Sequence, residues 1–340
     1  MSSRTRRGPS MTDVARHARV SAQTVSRVLN DPEAVRESTR IRVLAAIEEL
    51  GYRRNLQARS LRTDRSDVIG VVAAATSIYS PSRLLYEIES AARQTGMALQ
   101  LAVLDDATRI PPDAVFASFM ERNVDGVILV GPRNWVALAA QEFTGSFPIV
   151  STSLVDMYAE NRLRMVCADN ELGARLAVRH LIGLGHRLID HVAGPSEFYD
   201  AVDRMRGWRK ELFVNGLLEG RLFHGDFDAR SGYEAGQRMI ASGRLPDAVF
   251  CANDQMALGL CRALHEAGVS VPGEVSVVGF DNIDGSEYTV PALTTVEQPY
   301  RQIGEGAVAA LRAVLMDRES SPRLVQPRLV VRESTGPRSA

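Results

Sequence analysis

The chain has 340 residues, 45% hydrophobic and 24% charged, an ordinary globular composition with room for two or three domains. Its three cysteines, Cys167, Cys251 and Cys261, are odd in number and form no Cys-x-x-Cys pair. That argues against a disulfide framework or zinc site and points to reduced, mostly buried thiols in a cytoplasm. The net charge of −1 hides an asymmetry: residues 1–66 carry 14 Arg against 7 acidic residues, whereas the remainder carries 26 basic against 34 acidic. A basic head on an acidic body is the footprint of a head that meets phosphates.

Residues 1–9 form a basic tail (Arg4, Arg6, Arg7) with no apolar segment behind it, so an export signal is not expected. No apolar run approaches the ~20 residues of a membrane span. A three-helix, all-α head is expected over 10–53. Ser10-Met11-Thr12-Asp13 has the spacing of a capping box, and Val14, Ala15 and Ala18 follow on one apolar face. Ser21 caps a second helix in which Val25, Val28 and Leu29 share a face and Gln23, Ser26 and Arg27 fall outside it; Asn30-Asp31-Pro32 ends it. A third helix over 38–50 should turn Val43, Leu44, Ile47 and Leu50 inward and stop at Gly51. Two short helices joined by a tight turn and braced by a third make a helix-turn-helix, whose second helix enters the DNA major groove. Gln suits adenine and Arg suits guanine, because each can make two hydrogen bonds to one base edge. Ser10, Thr12, Ser21 and Thr24 are short donors suited to phosphate oxygens.

The run from Thr12-Asp13-Val14-Ala15 through Val20-Ser21 to Thr24-Val25-Ser26-Arg27-Val28-Leu29-Asn30, then Arg42 to Tyr52, resembles the lactose/galactose repressor family of bacterial transcriptional regulators. The resemblance implies that Ala22, Gln23 and Arg27 read bases, with Ser26 and Asn30 joining the phosphate contacts. It also implies a hinge helix within 54–66, where Ala58, Arg59 and Leu61 would meet the minor groove and Leu61 would wedge between base steps. One departure is Arg19, where the family usually has Gly; a left-handed backbone there would cost about 1 kcal/mol.

From 67 to 334, strands and helices alternate. Strands are expected over 68–75, 97–103, 124–130 and 148–151, then over 188–193, 221–224, 247–252, 275–280 and 323–331. Helices are expected over 82–94, 113–122, 172–184, 201–215, 229–241, 255–266 and 303–316. Alternation of this kind gives two α/β, Rossmann-like parallel-sheet lobes with a ligand cleft at the carboxyl ends of the strands. The first lobe is expected over 67–168 and 296–320, the second over 169–295 and 321–334, with a tail at 335–340. Gly185-His186-Arg187, Ala252-Asn253-Asp254-Gln255, Val277 to Asn282 and Leu293 to Gln298 are similar to the family's periplasmic-binding-protein-like effector module. The resemblance places Arg204, Asn253 and Asp281 on the effector; such a guanidinium, amide and carboxylate pair well with vicinal hydroxyls. Phe227 and Tyr300 would supply aromatic faces, Asp200 stands one helical turn before Arg204, and Ile78, Ser80, Pro81, Gln255 and Gln298 complete the set. Many sugar-responsive relatives carry Asp where this chain has Ser153, so one sugar contact is expected to differ.

No enzyme is expected. Gly304-Glu305-Gly306 lacks the third glycine of a dinucleotide turn, no phosphate-binding P-loop is present, and no serine stands in a nucleophile elbow. No catalytic residue, metal or cofactor is assigned. The expected molecule is a cytoplasmic, nucleoid-associated homodimer on a near-palindromic operator, released by a sugar-like effector, with no membrane partner. Thr335 to Ala340 show no leucine heptad, so a tetramer is not expected. The alternatives are a nucleoside or purine corepressor in the same cleft, or a sugar-binding transport protein.

Overall fold

The computed structural model describes residues 9–52 (of Asn30, the backbone only), 65–73, 79–104, 110–155 and 164–338. Ala58, Arg59, Leu61 and Ile78 lie outside the described residues. The chain divides into two units, Met1–Ser66 and Asp67–Ala340.

The head contains α1 (Met11–Ala18), α2 (Ala22–Asn30) and α3 (Glu37–Leu50). The capping box at α1 is complete. Ser10 N donates to Asp13 Oδ2 at 2.9 Å, and Asp13 N donates to Ser10 Oγ at 3.3 Å. Ser21 caps α2 by accepting from Thr24 N at 3.1 Å. The turn between them is left-handed at Arg19 (φ 53°, ψ 48°), the conformation glycine adopts without cost. Val14, Ala15, Ala18, Val25, Val28, Val43 and Ala46 form the core, with Ile47 and Leu50 packed against it. Leu44 departs from expectation: it is 49% exposed. Val43, Ala46, Ile47 and Leu50 already form the inward stripe, and Leu44 is turned off it by one residue's rotation. Gly51 (φ 62°) closes α3 in the left-handed C-cap.

The body holds two six-stranded sheets of the same plan. The first is ordered β11-β5-β4-β3-β1-β2 and the second β12-β10-β9-β8-β6-β7. The first comprises β1 (Val68–Ala73), β2 (Ala98–Val103), β3 (Gly126–Val130), β4 (Ile149–Ser151), β5 (Arg164–Ala168) and β11 (Arg323–Val325). The second comprises β6 (Ile189–Ala193), β7 (Leu222–His224), β8 (Ala248–Cys251), β9 (Ser276–Asp281), β10 (Thr294–Glu297) and β12 (Arg328–Val330). All pairings are parallel except β10 with β12. Strands such as β3 and β9 are buried at every residue, as strands covered on both faces must be. Helices α4 (Tyr79–Gln94), α5 (Pro112–Glu121), α6 (Asn134–Glu142) and α11 (Tyr300–Leu315) serve the first lobe. Helices α7 (Asn170–Gly183), α8 (Tyr199–Val214), α9 (Ala229–Ala241) and α10 (Asp254–Glu266) serve the second.

Four elements differ from the sequence reading. β5, β10 and α6 are additional. The single strand expected over 323–331 is two strands, β11 in the first sheet and β12 in the second. Gln326-Pro327 lies between them, and a proline cannot donate to a ladder. Residues 323–325 therefore side with the first lobe and Val296 with the second, the reverse of the expected division. The chain thus crosses between the lobes three times: after β5, after β10 and after β11.

Candidate functional sites

In the head, the outward face of α2 presents Ala22, Gln23 and Arg27, all exposed, while Val25 and Val28 are buried beneath them. Ser10, Thr12 and Ser21 are exposed at the starts of α1 and α2, and Thr24 and Ser26 are half-buried. Both helix N-termini gather N–H groups suited to phosphate oxygens. Ser10 already donates its hydroxyl proton to Asp13 Oδ2 at 2.6 Å, and that bond with the cap holds the Asp13 carboxyl below the usual range. A phosphate contact through the Ser10 hydroxyl would have to replace it.

In the body, the strand-order reversals lie between β1 and β3 and between β6 and β8, and ligands bind at the carboxyl ends of strands beside such switch points. The loops at those ends enclose a small cavity. Ser80, Pro81, Leu84 and Gly131 wall it from the first lobe; Phe198, Asp200, Arg204, Phe227, Asn253 and Asp281 wall it from the second. It holds about 30 Å³, room for one or two waters.

Arg204 is 2% exposed and clamped on several sides. Its Nε donates to Asn170 Oδ1 at 2.8 Å, its Nη1 donates to the Ala252 carbonyl at 2.5 Å, and its guanidinium lies 3.9 Å from the centre of the Phe280 ring. Asp281 Oδ1 stands 3.5 Å from Arg204 Nη1 and accepts from Gln298 Nε2 at 2.6 Å. Burial raises the Asp281 carboxyl to about 6, against the opposing pull of Arg204 and Gln298. Asp200 is likewise pushed up by burial, while Arg204 and the hydroxyl of Ser153 favour its charged form. Ser153 and Asp200 belong to opposite lobes. A carboxylate, Asp200, thus faces Ser153 from the other wall of the cleft.

Asn253 both caps and lines. Its Oδ1 accepts from Met256 N at 3.0 Å and its Nδ2 donates to the Phe227 carbonyl at 2.8 Å, which leaves one amide hydrogen uncommitted. Phe227 meets Phe198 edge-on, with centroids 5.5 Å apart. Gly194 lies directly under the Phe227 ring, where a Cβ would collide with it. Backbone strain concentrates here: three of the seven described non-glycine residues with positive φ are Phe227 (73°), Asp281 (110°) and Asn282 (53°).

The structure does not bring every expected residue to this cavity. Gln255 is outside its walls. Gln298 and Tyr300 instead line a larger cavity of about 440 Å³ at the lobe crossings, on which Asp281 also opens. The Tyr300 hydroxyl is buried and makes no hydrogen bond of regular geometry among the described residues, although Ser80 and Asp281 stand beside it. Four contributors were not anticipated: Asn170, Phe198, Leu84 and Gly131. Asn170 follows the N-cap Asp169 at the end of the unexpected strand β5. Phe198 sits in a loop, where nothing marks an aromatic as a wall. Leu84 reads as plain core. The lobes also touch at the rim: Asn134 N donates to the Glu197 carbonyl at 2.8 Å, and the Arg133 guanidinium lies 5.2 Å from the centre of the Phe198 ring.

Among the described residues, no group of His, Cys, Asp and Glu could hold a metal ion, and no helix is long and apolar enough to cross a membrane.

Comparison with known proteins bears on both units. Residues 10–55 match the model of bacterial regulatory proteins of the lacI family, and residues 178–335 match the periplasmic binding protein-like domain. The lactose operon repressor of Escherichia coli (strain K12) is 34% identical over 300 residues, covering 88% of this chain and 82% of its own. The HTH-type transcriptional repressor PurR of Photobacterium profundum is 32% identical over 330 residues, covering 95% of this chain and 97% of its own. A crystal structure of the lac repressor dimer bound to operator and the anti-inducer ONPF superposes with a TM-score of 0.88 at 32% identity, over 97% of this chain and all of that one.

Proposed function

The chain belongs to the lacI family of bacterial regulatory proteins, and from that premise we propose that it is a homodimeric repressor released from its operator by a neutral, sugar-like effector. Two heads would read the half-sites of a near-palindromic operator through Ala22, Gln23 and Arg27, since two-fold protein symmetry imposes two-fold DNA symmetry. Residues 54–66 are assigned as the hinge segment between head and body, with Ala58, Arg59 and Leu61 as its minor-groove contacts. The protein works in the cytoplasm and catalyses no reaction.

The observation that carries the effector class is the charge balance of the cleft. One guanidinium faces two carboxylates, Asp281 and Asp200, so a phosphorylated ligand would meet acidic groups, whereas hydroxyls can pair with both kinds. The phenyl rings of Phe198 and Phe227 offer an apolar wall for a sugar's C–H face. The cavity is smaller than a typical ligand site, so binding must part Phe198, Phe227 and the rim contacts before the lobes close around the ligand. That rearrangement is the differential interaction through which a ligand can weaken operator binding, by a coupling of about 1–3 kcal/mol.

The test is a thermal-shift screen of the full chain against neutral sugars, sugar phosphates, nucleosides and purines. A ligand of the folded state at a hundredfold excess over its Kd adds about 2.7 kcal/mol of stability. A neutral-sugar hit that also weakens operator binding supports the proposal. A second reading, a purine or nucleoside corepressor, draws on the same aromatic pair; a hit confined to those compounds, tightening operator binding, would replace the first.

A further inference from the structure

The two charged anchors of the cleft are each held by an amide that sits where the chain passes from one lobe to the other. Asn170 is the first residue of α7, immediately after β5 leaves the first sheet. Gln298 follows the last residue of β10, just before α11 returns to the first lobe. Asn170 accepts from Arg204 at 2.8 Å, Gln298 donates to Asp281 at 2.6 Å, and Arg204 and Asp281 face each other at 3.5 Å. The result is a continuous path, Asn170–Arg204–Asp281–Gln298, that begins and ends in a crossing. All four side chains are at most 5% exposed, so water does not replace these bonds when they break.

Each amide also reaches toward the first lobe. Asn170 Nδ2 donates to Asp200 Oδ1 at 3.2 Å, and Asp200 meets Ser153 across the cleft. Gln298 Nε2 lies 3.5 Å from Ser80 Oγ. A side chain at a crossing that holds both an anchor and the opposite wall can sense one and move the other. Amides suit this role: each offers a donor and an acceptor at fixed geometry, and neither adds a charge to a buried site.

We propose that Asn170 and Gln298 are positioning residues that tie the effector anchors to the lobe crossings, so that rearrangement at Arg204 or Asp281 changes the angle between the lobes. The identity of the anchors rests on the function proposed above; the mechanical link does not, and it can be measured without ligand or operator.

The experiment is a distance measurement by pulsed electron resonance on the full chain. Spin labels are attached to cysteines introduced at Leu138, 53% exposed on the first lobe, and Phe213, 83% exposed on the second. Labelled chain is diluted into unlabelled chain so that pairs within one protomer are read. The native thiols label slowly, because burial raises all three, Cys261 to about 12. Asn170→Ala and Gln298→Ala should each widen the interlobe distance distribution at least twofold. The double variant should widen it by less than the sum, because both cut one path. Should the alanine variants fold poorly, Asn170→Asp and Gln298→Glu preserve shape while setting a carboxylate oxygen against Asp200 or Asp281, and should widen it likewise. Unchanged distributions alongside a lowered melting temperature would reduce both residues to packing elements and overturn the proposal. Additive widening would overturn the single path.

Discussion

Arg19 sets a local cost that a single substitution can remove. A side chain in the left-handed region costs about 1–2 kcal/mol, part of which glycine returns through the greater freedom of its unfolded chain. Arg19→Gly should therefore stabilise the head by about 0.5–1 kcal/mol, read as slower amide exchange at Val14 and Val25 in the full chain; unchanged exchange would mean the turn is not strained. Asp254 predicts a pH effect. Burial and the neighbouring Asp281 raise its carboxyl to about 8, with Thr295 and the Ile283 N–H bonding the charged form. Its folded value exceeds the ~3.9 of an unfolded Asp. Its contribution to stability is thus complete below about pH 4 and drains as pH rises through about 8. Asp254→Asn should flatten the fall in melting temperature between those limits, and an equally steep fall in the variant would clear Asp254. For Asp281 the functional sign is opposite. Only its carboxylate can accept two hydroxyl protons, so effector affinity should fail as pH drops through about 6.

Among the elements, α2 is where sequence and structure agree most closely, because its cap, its buried stripe and its stop are all local signals. The prediction that belongs to it is Arg27→Ala, which should cost about 1–3 kcal/mol of operator affinity and relax the preference at one base pair. Equal loss on every sequence would mean that Arg27 touches only phosphate. β5 and α6 were not legible for identifiable reasons. β5 opens with a charged Arg164 and carries half-buried residues where a β-rich run would be sought. In α6 the run Trp135-Val136-Ala137-Leu138-Ala139-Ala140 is apolar all round, so no amphipathic period announces a helix. The division of residues 323–331 between two sheets depends on partners distant in sequence, which no local pattern encodes. In the cleft, Arg204, Asn253 and Asp281 were found through resemblance. Asn170 was hidden because an amide after a cap residue reads as part of the cap.

For the molecule as a whole, the basic head predicts operator binding that weakens steeply with salt, since each neutralised phosphate releases a counterion. Asp281→Ala should keep that operator affinity and its salt slope while abolishing the response to effector; a normal response in this variant would remove Asp281 from the site. The three crossings carry one further consequence. The first sheet needs residues near both 70 and 324, and the second needs residues near both 190 and 329, so neither lobe is a continuous stretch of chain. A single break anywhere between 194 and 293 leaves both sheets missing strands in either fragment. A proteolytic cut within 194–293 should consequently leave no half-size fragment surviving as a folded lobe, and a growing chain could not finish either lobe until residues 323–330 had been made.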